Sequence, residues 1–198
     1  MSEAYIVAAT RTAGGRKGGQ LSGWHPADLA AQVIDELVRR TRADPARVDD
    51  VIMGCVSQIG EQSTNIARNA VLASGLPETV PATSVDRQCG SSQQAIHFAA
   101  QAVMSGTMDV VIASGVESMS RVPIGTPMDL PQKAGLGFYK SPGMEARYPV
   151  VFFSQFTGAE EIARKWELGR EAMDEFSFQS HLKSRAATEA GRFDAEII

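Results

Sequence analysis

Up to Gly115 the chain alternates between short apolar runs and longer stretches in which apolar residues return every three or four positions. Tyr5–Ala9 (YIVAA) is the first apolar run and predicts a strand. A turn rich in glycine and basic residues, TRTAGGRKGGQLSG, follows it. Pro26 and Asp28 then open a helix, since proline fits the first helical turn and an acidic side chain suits its dipole. Leu29, Val33, Leu37 and Ala30, Ile34, Val38 recur every four residues and give that helix one stripe to bury. VDDVIMGCV (Val48–Val56) ends in a second strand, and Asn65–Ser74 predicts a helix stopped at Gly75. Val80–Val85 predicts a third strand. Gly90–Ser105 predicts a helix closed by Gly106, and Asp109–Ser114 a fourth strand. This last run is nearly all apolar, as expected of a sheet covered on both faces. The alternation predicts a layered α/β domain over residues 1–120.

The pattern changes after Gly115. GVESMSRVPIGTPMDLPQKAGLGFYKSPGMEARYPV is rich in proline and glycine and predicts a long loop, which in a compact protein is usually functional or an insertion. Helical periodicity returns at Ala159–Trp166 and at Arg170–Ala190, the latter capped by Gly191. FDAEII at the end predicts the start of a strand, with the expectation that the polypeptide continues elsewhere. Residues 121–198 are therefore expected to form a second, incomplete domain.

Composition adds limits. The 198 residues are 43% hydrophobic and 21% charged, which suits a soluble chain with a substantial core. A net charge of −4 without clustered basic residues argues against a nucleic-acid partner. Two cysteines, Cys55 and Cys89, make no disulfide framework and suit a reducing compartment. The N-terminus lacks the charged start and long apolar run of a signal peptide, and no run is long enough for a membrane span. A cytoplasmic protein is expected. No Cys/His spacing suits a metal, and neither a P-loop nor a GxGxxG or GxSxG motif is present.

Cys89 carries the candidate chemistry. TSVDRQCGSSQQ places it where a strand gives way to a helix. Free N–H groups and the helix dipole at such a start favour a thiolate, the reactive form of cysteine, and can hold a developing oxyanion. Open α/β sheets also bind ligands beyond the carboxyl ends of their strands. The glycine and two serines after the cysteine are expected to leave its approach uncrowded. A small buried hydrophobe is the competing assignment for Cys89, but its polar neighbours favour the nucleophile. Cys55, among apolar residues, is expected to be the structural thiol. None of the three histidines suits a base for Cys89. His97 lies about 12 Å further along the same helix, His25 precedes a helix as a cap or surface residue, and His181 belongs to the last helix.

VDRQCGSS followed by GVESMSR resembles the thiolase family, and the likeness runs along the whole chain through VAATRTAGGRKGGQLSG and FTGAEEIARKWELGREAMDEFSFQSHLKSRAATEAGRFDAEII. The resemblance implies a thiolase-like layered αβα fold with an inserted loop domain, whose second half is absent from this chain. It implies that Cys89 attacks the ketone of a 3-ketoacyl-CoA, that acetyl-CoA leaves, and that free CoA takes up the acyl group. In the family the nucleophile's own N–H belongs to an oxyanion hole. The base histidine, a second cysteine and a water-holding asparagine lie in the second half, in motifs such as GHP and CxGGG, which do not occur here. Coenzyme A thioesters are then substrates, no cofactor is needed, and a homodimer or homotetramer is expected. The loop domain in the family supports tetramer contacts and covers CoA.

Short-chain biosynthetic thiolases carry a His-Met pair before TAEN. Here the matching stretch is FSQFTGAEE, with Ser154 and Gln155, which resembles degradative thiolases, including those acting on bulky or steroid-derived acyl groups. Gln155 is the candidate CoA- or acyl-facing residue. The alternative is a truncated thiolase-like module that binds acyl-CoA or a complementary subunit without turnover. A β-ketoacyl synthase relative would share the fold and the cysteine, but GVESMSR favours thiolase.

Overall fold

The computed structural model describes residues 3–149 and 153–198. Two compact units are formed, one by residues up to Leu136 together with Glu196–Ile198, the other by Gly137–Ala195. Residues 121–136, beyond the boundary expected at 120, fall in the first unit.

The first unit holds a parallel sheet of three strands: β1 (Asp50–Gly54), β2 (Ala82–Val85) and β3 (Val111–Gly115), in the order β2-β1-β3. β1 is central, with Val51 beside Ala82 on one side and Ile112 on the other. Its side chains alternate between two cores, as the two-residue repeat of a strand requires. Val51 and Met53 join a core with α1 (Pro26–Thr41) and α2 (Ile66–Ala73), while Ile52 packs on the other face against Ala95 and Ala99 of α3 (Ser91–Ser105). The expectation of helices on both faces of a sheet is met.

Local signals explain the boundaries. The His25 ring nitrogen Nδ1 accepts from the Ala27 N–H and Pro26 occupies the first helical position, so α1 starts where proline predicted. α3 ends at Gly106, whose φ of 74° is cheap for a residue without Cβ. α2 stops one residue earlier than expected, at Ser74, and the Gly75 N–H instead donates to Asp35 Oδ1 at 2.7 Å.

Two expectations are corrected. Tyr5–Ala9 forms no strand, and Tyr5, Ile6 and Val7 are 76%, 81% and 86% exposed. A strand exists only when a neighbour accepts its ladder bonds, and no described strand lies against this run. The chain first pairs at Arg11, in an isolated parallel bridge to Ile197, where Arg11 also grips the Glu196 carboxylate at 2.6 and 2.9 Å. FDAEII thus contributes one bridge residue. The stretch after Gly115 is not all loop: it contains α4 (Thr126–Lys133) and α5 (Pro142–Arg147), each with a proline in its first turn.

The second unit consists of α5, α6 (Gln155–Lys165) and α7 (Arg170–Glu189). α6 and α7 cover the two stretches of helical periodicity expected from the sequence, and none of the three helices carries a described buried residue. Among the described residues, no helix is long and apolar enough to cross a membrane.

Candidate active site

All three strands run the same way, so Gly54, Val85 and Gly115 end at one edge of the sheet. Cys89 lies four residues past Val85, exposed, with Gly90 as the N-cap residue of α3 behind it. The turn that presents it is closely bonded. Gln88 adopts a left-handed φ of 48°, uncommon for a residue with a side chain. Its N–H donates to Asp86 Oδ1 at 2.7 Å, which is the short-range bonding by which aspartate stabilises turns. Ser91 is buried. Its hydroxyl donates to the Gln88 carbonyl at 2.6 Å and accepts from the Arg87 N–H at 2.9 Å, closing the turn around Cys89. Arg87 reaches Gln94 Oε1 at 2.5 Å, tying the turn to the second turn of α3.

The start of α3 is seated on the sheet through two glycines. A Cβ on Gly54 would lie 2.4 Å from the Ser92 nitrogen, and one on Gly115 would lie 2.0 Å from Ser92 Oγ. A side chain at Gly54 would meet the helix backbone, and one at Gly115 would meet the Ser92 side chain. The serines after Cys89 therefore do more than leave space: Ser91 locks the turn and Ser92 fits the two glycines. Sequence patterns give no sign of this, because the partners are distant in the chain.

A second set of residues, missed from sequence, ties the loops after β1 and β3. The Glu117 carboxylate accepts from the Val56 and Ser57 N–H groups at 2.8 and 3.3 Å and from Gln62 Nε2 at 2.9 Å. Gln62, fully buried, also donates to the Ser57 carbonyl and accepts from the Ser118 N–H. Further out, Arg121 pairs with both oxygens of Glu61. Glu117 and Arg121 both belong to GVESMSR, and they bond to the loop after β1.

The two thiols differ as expected. Cys55 is 1% exposed at the end of β1. Burial, with the nearby Glu117 carboxylate, pushes its thiol up to about 12, so it stays protonated near neutral pH. Among the described residues, no side chain hydrogen-bonds to the Cys89 thiol. His25 caps α1, and His97 and His181 are exposed on α3 and α7. Gln155 is the first residue of α6, in the second unit, where Ser154 caps that helix by accepting from the Thr157 N–H. No group of three or more potential metal ligands is gathered among the described residues.

The family model described as the thiolase N-terminal domain matches residues 4–198. The chain is 52% identical over its whole length to a steroid 3-ketoacyl-CoA thiolase of Mycobacterium tuberculosis, of which it covers 49%. It is 41% identical to a 3-ketoacyl-CoA thiolase of Pseudoalteromonas translucida, again covering 49%. An acetyl-CoA acetyltransferase of Bacillus anthracis matches all of the chain with a TM-score of 0.82 and 33% identity, over 50% of that protein. The chain thus spans about half the length of the relatives it matches.

Proposed function

This chain belongs to the thiolase family, and from that premise we propose that it carries the nucleophile of an enzyme that cleaves 3-ketoacyl-CoA with free CoA. The observation that supports this is the placing of Cys89, exposed on a bonded turn at the carboxyl edge of a parallel sheet and directly before a helix. The Cys89 sulfur adds to the ketone carbon of the substrate. The bond between that carbon and the thioester-bearing carbon breaks, and its electron pair stays with the departing acetyl-CoA, which takes up a proton. The sulfur of a second CoA then attacks the acyl-cysteine and releases a shortened acyl-CoA. The start of α3 and the Cys89 N–H face the charge that develops on oxygen, where oriented donors are worth most.

No described histidine of this chain serves as base. The base and the acid are assigned to the part of the relatives' length that this chain does not span. Gln155 is assigned to the CoA or acyl side, residues 121–198 to a loop domain over CoA, and the assembly to a homodimer or homotetramer in the cytoplasm. The bulky, steroid-derived class of acyl group is supported by the name of the Mycobacterium tuberculosis relative and by Ser154–Gln155 in place of a His-Met pair. Degradation of fatty or steroid side chains is the process it would serve.

The test is intact-mass analysis of the complete enzyme after mixing with a 3-ketoacyl-CoA. An acyl adduct on the Cys89 peptide is expected, with a steroid-side-chain thioester turned over faster than acetoacetyl-CoA. An adduct on another residue, or none, would overturn the assignment.

A further inference from the structure

The carboxyl ends of β1 and β3 are separated in sequence but meet at one side chain. Glu117 follows β3 and holds the backbone N–H groups of Val56 and Ser57, which follow β1. It is half-buried, and among the described residues it accepts from the Val56 and Ser57 N–H groups, the Gln62 amide and the Cys55 thiol, with no Lys, Arg or His in an ion pair with it. A carboxylate removed from water without a cation is costly to keep. A position needing only a filler would not select one. What a carboxylate offers is acceptor capacity on two oxygens without a donor, and here three N–H donors and the Cys55 thiol converge on it.

Two links join this clamp to Cys89. The Cys55 N–H, one residue before Val56, donates to the Val85 carbonyl at 3.0 Å, and Val85 is followed by the Asp86–Cys89 turn. The Val116 N–H, one residue before Glu117, donates to the Gly54 carbonyl at 3.0 Å, and Gly54 with Gly115 forms the seat of Ser92. The spacing of Gly54 and Gly115 therefore sets both the depth of α3 and the approach of the turn.

We propose that Glu117 is a positioning residue for Cys89, fixing the gap between the ends of β1 and β3 on which the nucleophile's turn and helix are seated. This rests on Cys89 being the nucleophile. Glutamine at 117 would set its amide donors against the Val56, Ser57 or Gln62 donors and open the gap without changing side-chain length.

The experiment uses the complete enzyme with Glu117→Gln, and Ile34→Val as a control that removes one carbon from the α1 core. Alkylation of Cys89 by iodoacetamide is followed over pH alongside kcat and KM. The expected result for Glu117→Gln is a kcat lower by about ten- to a hundredfold, the loss that misplacement of an ångström brings. KM should change little and the alkylation profile should shift, while Ile34→Val leaves that profile as in the wild type. A folded Glu117→Gln with unchanged kcat and alkylation, or an equal change in Ile34→Val, overturns the proposal. If Glu117→Gln does not fold, hydrogen exchange of the wild type decides. Val56, Ser57 and Ser118 amides protected like Met53 support the clamp, and free exchange at them overturns it. Alkylation needs no turnover, so failure of Cys89 to form an acyl adduct would end the assigned reaction and leave this comparison readable.

Discussion

Gly54, the last residue of β1, and Ser92, the second residue of α3, approach so closely that a methyl group on Gly54 would stand 2.4 Å from the Ser92 nitrogen. Backbone meets backbone there, so no rotamer change can make room. The position of the helix that follows Cys89 is set by the absence of a side chain in the centre of the sheet.

Gly115→Ala is expected to lose about 1–3 kcal/mol of stability, the range for overpacking in a filled site. The added carbon meets mainly Ser92 Oγ and Cβ, so Ser92→Gly in the same protein should restore much of the loss. Urea unfolding of the single and double variants checks this. Gly54→Ala, which meets backbone, should gain little from the same second change.

Iodoacetamide at neutral pH is expected to modify Cys89 and spare Cys55, since Cys89 is exposed and Cys55 is buried with its thiol held up at about 12. Peptide mapping over time gives the two rates. The raised value also has a sign in stability: it is without effect below the ordinary thiol value of 9.0 and costs stability as pH rises from there toward 12. Modification of Cys55 ahead of Cys89 in the folded protein would contradict the picture.

Cys89→Ser in the complete enzyme should lower thiolysis by at least about a thousandfold, because a hydroxyl is a far poorer nucleophile than a thiol near neutral pH. Acyl-CoA binding, measured by calorimetry, should be largely kept, since the shape is preserved. Retention of a few per cent of the rate would exclude a covalent role.

Glu36 accepts from Arg39 and Arg40 on α1, and these hydrogen bonds hold its carboxyl at about 2. Its contribution is present above the ordinary value of 4.5 and is lost as pH falls toward 2. Glu36→Gln should therefore be less stable than the wild type at pH 6 and equal to it near pH 2. Urea midpoints of both proteins across that range test the convergence.

The exposed position of Cys89 before a helix was legible because its signal is local: an apolar run, a polar turn, a cysteine and an alanine-rich helix stand next to one another at Val80–Ser105. The caps at His25 and Gly106 were legible for the same reason. Tyr5–Ala9 misled because an apolar run suits a strand's buried faces and says nothing of what pairs with its edges. α4 and α5 hid behind prolines: Pro127 and Pro142 suit a first turn, while α4 also carries Pro131 inside, where proline ordinarily breaks a helix. The Glu117–Gln62 clamp joins residues more than fifty positions apart, and the Gly–Ser92 seat joins residues of separate strands and a helix, so no short window along the chain contains them.

The sheet order β2-β1-β3 carries a consequence for synthesis. β1 is made first but is the centre, so both its edges wait for partners. β2 arrives about thirty residues later and β3 about sixty later. At 5–20 residues per second the second edge stays open on the ribosome for several seconds. Parallel pairing across such separations is slow. Cys89 emerges before β3, so its platform is finished only after Cys89 itself has left the ribosome. A nascent chain stalled between Cys89 and Val111 would present the Cys89 thiol without the strand that seats it.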